Sequence, residues 1–197
     1  MTSLEAALVE IASKLNLLHA SFALVGGLAV SVRTEPRFTR DADLAVALAT
    51  DREAEALIHA LRDHGFLIAA VVEQEAVGRL ATVRLSLSTE PRAPVVDLLF
   101  ASSGIEAEIV AEAEPLELLP NLRMSVARVG HLIAMKVLSR DDVRRPQDLV
   151  DLRGLLRVAG EDELTRAQQA LALIAARGYH RGRDLTSEMN RLFSPTD

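Results

Sequence analysis

The chain has 197 residues, with 22 Lys+Arg against 28 Asp+Glu and a formal net charge of −6. This length accommodates one domain with a substantial core, or a domain with a helical extension. The absence of cysteine excludes a disulfide framework and a thiolate metal site, and no apolar run approaches a membrane span.

Glu5 and Glu10 fall where a secretory leader would need a basic start and an apolar core. A soluble, cytoplasmic protein is therefore expected. Charge is unevenly spread: residues 1–122 carry 9 Lys+Arg against 18 Asp+Glu, and residues 123–197 carry 13 against 10. An acidic segment is thus followed by a mildly basic one, a division that suits metal chemistry on one side and a polyanionic partner on the other.

In chain order, Thr2 and Glu5 have the spacing of a capping box. Leu4, Leu8, Ile11, Leu15 and Leu18 form one apolar stripe, predicting a helix from about Ser3 to His19. The apolar run Phe22-Ala23-Leu24-Val25 then stops at Gly26-Gly27, and Leu28 to Arg33 reads as a short helix ended by Thr34-Glu35-Pro36. A strand that ends in Gly-Gly and opens a helix lets main-chain N–H groups approach a phosphate, since no Cβ stands in the way.

Arg37, Thr39 and Arg40 lead into Asp41-Ala42-Asp43. In an extended chain Asp41 and Asp43 share one face, as does the Thr39 hydroxyl. Two hard carboxylates so placed suit Mg²⁺ bridging substrate phosphates. Arg37 and Arg40 are candidate phosphate contacts or charge neutralisers.

Thr50 and Glu53 form a second capping-box pattern, with Leu57, Ile58 and Leu61 lining the helix that His64-Gly65 closes. Phe66 to Glu75 and Arg79 to Leu87 read as a hairpin, broken by the loop containing Pro91 and Pro94. Asp97 follows inside Val95-Val96-Asp97-Leu98-Leu99-Phe100. A carboxylate among such neighbours is costly to bury unless it is paired, hydrogen-bonded or metal-bound.

A short helix around Ile105 to Ala111 and a strand near Pro115 to Leu119 come next, and the chain is expected to turn helical after Asn121. Lys136 sits in the apolar helix Arg128 to Ser139, in a chain with 20 Arg and only 2 Lys. Pro146 suits the first turn of a helix through Arg157, in which Asp148 and Asp151 face together. An interhelix ion pair between Lys136 and Asp148 is the alternative to a catalytic role for the two.

Gly-Gly, then Asp-x-Asp, then a lone Asp in an apolar strand resembles the nucleotidyltransferase superfold, and more narrowly the AbiEii/MenT-type toxin family. The resemblance extends to Lys136, to Arg144-Arg145 before Asp148-Leu149-Val150-Asp151-Leu152, and to the tail Arg177 to Asp184. Gln147 stands where the family pattern has lysine.

The expected fold is α/β: a small mixed, mostly antiparallel sheet flanked by helices in a core of residues 1–122, with a helical region, 123–197, packed on it. The expected activity is transfer of a nucleotide from an NTP to an acceptor hydroxyl. Asp41, Asp43 and Asp97 would hold two Mg²⁺, or Mn²⁺, and Gly26 and Gly27 would cradle the triphosphate. By resemblance, Lys136 and Asp148 are functional, the acceptor is a tRNA 3′ end, and the protein is a toxin with a cognate antitoxin. The alternatives are a small-molecule or protein acceptor, or a non-catalytic nucleotide-binding module.

Overall fold

The computed structural model describes residues 3–36, 39–90, 93–119, 122–141 and 143–193. The expectations placed on Thr2, Arg37, Pro91 and Asn121 lie outside the described residues. In chain order the elements are α1 (Ser3–Leu17), β1 (Phe22–Val25), α2 (Gly26–Arg33), β2 (Asp41–Val46), α3 (Asp51–Asp63), β3 (Leu67–Gln74), β4 (Arg79–Ser86) and β5 (Val95–Leu99). They continue with α4 (Glu106–Glu112), β6 (Glu114–Leu119), β7 (Leu122–Val126), α5 (Val129–Ser139), α6 (Pro146–Val158), α7 (Glu161–Ala176) and α8 (Leu185–Phe193).

Local signals account for several of these elements. The α1 stripe buries Leu8, Ile11 and Leu15. The capping box of α3 is formed: the Thr50 hydroxyl accepts from the Glu53 N–H at 3.3 Å, and the Thr50 N–H donates to the Glu53 carboxylate at 2.9 Å. The α3 face bearing Leu57, Ile58 and Leu61 is buried, and Gly65 takes φ 92 just beyond His64.

The strands form one seven-stranded mixed sheet in the order β3-β4-β5-β2-β1-β7-β6. Pairing is antiparallel except for β2 with β5 and β1 with β7. The chain does not become helical after Asn121, because Leu122–Val126 alternates apolar and polar side chains and pairs with both β6 and β1. The sheet therefore runs past Leu119 to Val126. Strand β3, at the sheet edge, leaves Leu67, Ile68, Val71 and Val72 exposed.

Helix α5 packs against α6, α7 and α8 and is buried nearly all round, including Lys136. Its approach to α7 depends on Gly130, where a Cβ would stand 2.4 Å from the Glu163 carbonyl oxygen. No helix among the described residues is long and apolar enough to cross a membrane.

Candidate active site

Strand register builds the first wall of the site. Arg84 on β4 lies opposite Asp97 on β5, Asp97 opposite Asp43 on β2, and Asp43 opposite Val25 at the end of β1. Four strands thus bring one row of residues together, and Asp41 lies on the same face, two residues before Asp43. Gly26 follows Val25 with φ 65, and a Cβ on it would fall 1.9 Å from Asp43 Oδ2. The glycine makes room for the carboxylate itself, a requirement that phosphate approach alone does not reveal.

Asp97 is almost completely buried, and both its oxygens are engaged. Arg84 Nε donates to Oδ1 at 2.8 Å and Arg84 Nη2 to Oδ2 at 2.7 Å. Arg84 Nη2 also stands 3.7 Å from Asp41 Oδ2. No guanidinium pairs with Asp43 in this way among the described residues. Its burial, reinforced by the charges of Asp97 and Asp41, pushes its carboxyl up to about 6, while Lys136 and Arg145 pull the other way.

The second wall comes from α5 and α6. Lys136 Nζ is 2.6 Å from Asp148 Oδ1 and 2.8 Å from Asp151 Oδ2, and all three residues are buried. The Ser139 hydroxyl donates to Asp148 Oδ2 at 3.0 Å, Arg145 Nε lies 3.2 Å from the same oxygen, and Gln147 donates to Asp151 at 3.2 Å. The glutamine at the position where lysine was expected therefore helps to hold Asp151.

Between these walls lies a cleft of about 930 Å³. Gly26, Gly27, Asp41, Asp43 and Asp97 line its sheet side, Lys136 and Asp148 its helical side, and Thr39 and Arg40 also reach it. Arg84, Ser139, Arg145 and Arg181 line it as well; Arg145 and Arg181 fall in stretches that carry the family resemblance, without a role of their own there. Arg84 becomes visible only once the register of β4 on β5 is known, whereas Arg181 lay within the quoted tail. Arg181 has φ 55, an uncommon conformation for a residue with a side chain, and its guanidinium has no ion-pair partner among the described residues. Partial burial and the charges of Arg183 and Arg145 push its pKa down.

The donor chemistry fits a divalent cation, since hard carboxylates share one face and Asp43 is crowded by like charge that a cation would relieve. Arg84, however, already holds Asp97. Among the described residues, no set of three or more His, Asp or Glu is arranged to hold a metal ion.

The family model described as nucleotidyl transferase AbiEii toxin, type IV toxin–antitoxin system, matches residues 10–196. Among solved structures, an antigenic nucleotidyltransferase-like protein from Paracoccidioides brasiliensis matches with TM-score 0.55 and 20% identity over 95% of this chain and 92% of that one. The antibiotic-resistance factor ANT(2'')-Ia in solution gives TM-score 0.55 and 17% identity, over 98% of this chain and 100% of that one. The same factor in complex with adenylyl-2''-tobramycin gives 0.52 and 18%, over 89% and 97%. At these identities the shared property is the fold. No curated protein sequence matches the chain.

Proposed function

The chain belongs to the nucleotidyl transferase AbiEii toxin family, and from that premise we propose that it moves a nucleotide from an NTP to the 3′ hydroxyl of a tRNA, as the toxin of a toxin–antitoxin pair. The observation that carries the reading is the juxtaposition of the Asp41, Asp43 and Asp97 carboxylates with the Gly26-Gly27 turn and the buried Lys136 in one cleft. The arginines lining that cleft, among them Arg40, Arg144, Arg145 and Arg181, favour a polyanionic acceptor.

In the proposed reaction the acceptor oxygen attacks the α-phosphorus, forming a new P–O bond. The bond from the α-phosphorus to the oxygen bridging to the β-phosphate breaks, and pyrophosphate leaves with the electron pair. The hydroxyl proton passes to a carboxylate of the row and on to solvent. Asp41 and Asp43, with Asp97 beside them, would hold a divalent cation, whose chemistry is to neutralise charge on the phosphates. Lys136, held between Asp148 and Asp151, lines the same cleft and would supply a cation to the leaving phosphates. Gly26 and Gly27 open α2, which has no side-chain cap, at the edge of the cleft.

The test is transfer of label from each [α-³²P]NTP onto a total RNA pool in the presence of Mg²⁺. A labelled band of tRNA size, absent with Asp43→Ala, is the expected result. Label on a small molecule or protein instead would reassign the acceptor, and no transfer from any NTP to any acceptor would overturn the reading.

A further inference from the structure

The sequence leads to two cations on three carboxylates, but the structure shows one of the three already matched to a cation of the protein's own. Arg84 meets Asp97 through two parallel N–H···O contacts of 2.8 and 2.7 Å, the fork-on-fork geometry that makes arginine–carboxylate pairs strong and directional. The pairing is enforced by the sheet, since Arg84 and Asp97 are directly opposed on β4 and β5. The same guanidinium stands 3.7 Å from Asp41 on the next strand, so its charge is shared across the row. Replacing it at Asp97 would leave a guanidinium without its partner beside an incoming dication.

We propose that Arg84 is a built-in cation that takes the place of a second metal ion. The site then holds one divalent cation, on Asp41 and Asp43, while Asp97 serves as the anchor of Arg84 rather than as a ligand. This rests on the nucleotidyl-transfer reading and narrows it. Arg84 is a positioning residue in this arrangement. It neutralises Asp97, leaves Asp41 and Asp43 as the ionic pair facing the cleft, and provides positive charge that cannot dissociate or exchange with the medium. The chain would accordingly need a lower free metal concentration to assemble its site than a two-ion centre requires.

The experiment counts Mn²⁺ bound per chain by electron paramagnetic resonance, with a non-hydrolysable NTP analogue present, for the wild type, Arg84→Gln and Asp97→Asn. One Mn²⁺ in the wild type and two in Arg84→Gln are expected. Asp97→Asn should keep one, with affinity within about threefold of wild type, whereas loss of a true ligand would weaken binding by more than about tenfold. Two Mn²⁺ in the wild type would overturn the inference and leave nucleotidyl transfer standing. So would one Mn²⁺ in Arg84→Gln, or a greater than about tenfold loss in Asp97→Asn. If Arg84→Gln fails to fold, the Asp97→Asn affinity decides. Absence of both Mn²⁺ and analogue binding in folded wild type would instead defeat the functional reading on which the inference depends.

Discussion

Asp43 occupies the space that a side chain at Gly26 would need: a Cβ there would lie 1.9 Å from Oδ2 and 2.5 Å from the carboxyl carbon. Glycine at this position is dictated by a carboxylate on the neighbouring strand and by its own φ of 65. Gly26→Ala should therefore destabilise the protein by about 2 kcal/mol or more. Adding Asp43→Ala should recover part of that loss, since the clash and the strain are separate contributions. Urea unfolding of the double-mutant cycle measures the coupling, and strict additivity would contradict the steric account.

Asp43 also confers a pH dependence. Its carboxyl is raised from 3.8 to about 6 by burial, then by the charges of Asp97 and Asp41. The folded state therefore binds the proton more tightly than the unfolded chain. The resulting stabilisation is full below about pH 4 and is lost as pH rises through about 6. In metal-free buffer with a chelator, Asp43→Asn should exceed wild type by roughly 3 kcal/mol at pH 8, with the gap closing toward pH 4. Chemical denaturation across that range should trace the closing gap; a gap independent of pH would refute it.

The ion pairs of Lys136 and the catalytic role proposed for it can be tested separately. Its ammonium bridges two buried carboxylates, so Lys136→Ala should cost about 3 kcal/mol by removing the cation that Asp148 and Asp151 share, while Arg145 stays beside Asp148. The triple variant Lys136→Met, Asp148→Asn, Asp151→Asn should regain much of the stability and still fail to transfer label. Recovery of transfer along with stability would reduce Lys136 to scaffold.

Arg181 offers a cleaner probe of anion binding, because its backbone favours glycine. Arg181→Gly removes the guanidinium and relieves a left-handed conformation that costs roughly 1 kcal/mol with a side chain present. The melting temperature should hold or rise, while NTP or RNA binding weakens about tenfold and becomes less salt-dependent. Undiminished binding would place Arg181 outside the substrate path.

Local patterns were legible in the sequence, and non-local pairings were not. The Thr50–Glu53 box and the shared face of Asp41 and Asp43 follow from spacing within one element. The contact between Arg84 and Asp97 depends on how β4 slides against β5, and a one-residue slip would send Arg84 to the opposite face. Strand β7 does not stand out in the sequence although Leu122-Arg123-Met124-Ser125-Val126 alternates cleanly, because five residues next to a helical segment carry little periodic weight. The Gly-Gly pattern by itself points to what Gly26 lets in from solvent. Its tightest constraint comes instead from Asp43, on a strand that sequence alone could not set beside it.

The two walls of the cleft should also differ in how they open. Strands β5 and β2, which carry Asp97 and Asp43, are third and fourth in a seven-strand order, paired on both sides. Their amide hydrogens should exchange with deuterium only when the whole molecule unfolds. The segment from Val143 to Gln147, which brings Arg144 and Arg145 to the opposite wall, is exposed along its length, so its amides should exchange through local opening at a small fraction of that free energy. If the proposed transfer reaction is correct, substrate entry and product release would then require the opening of that segment alone, with the carboxylate row left in place.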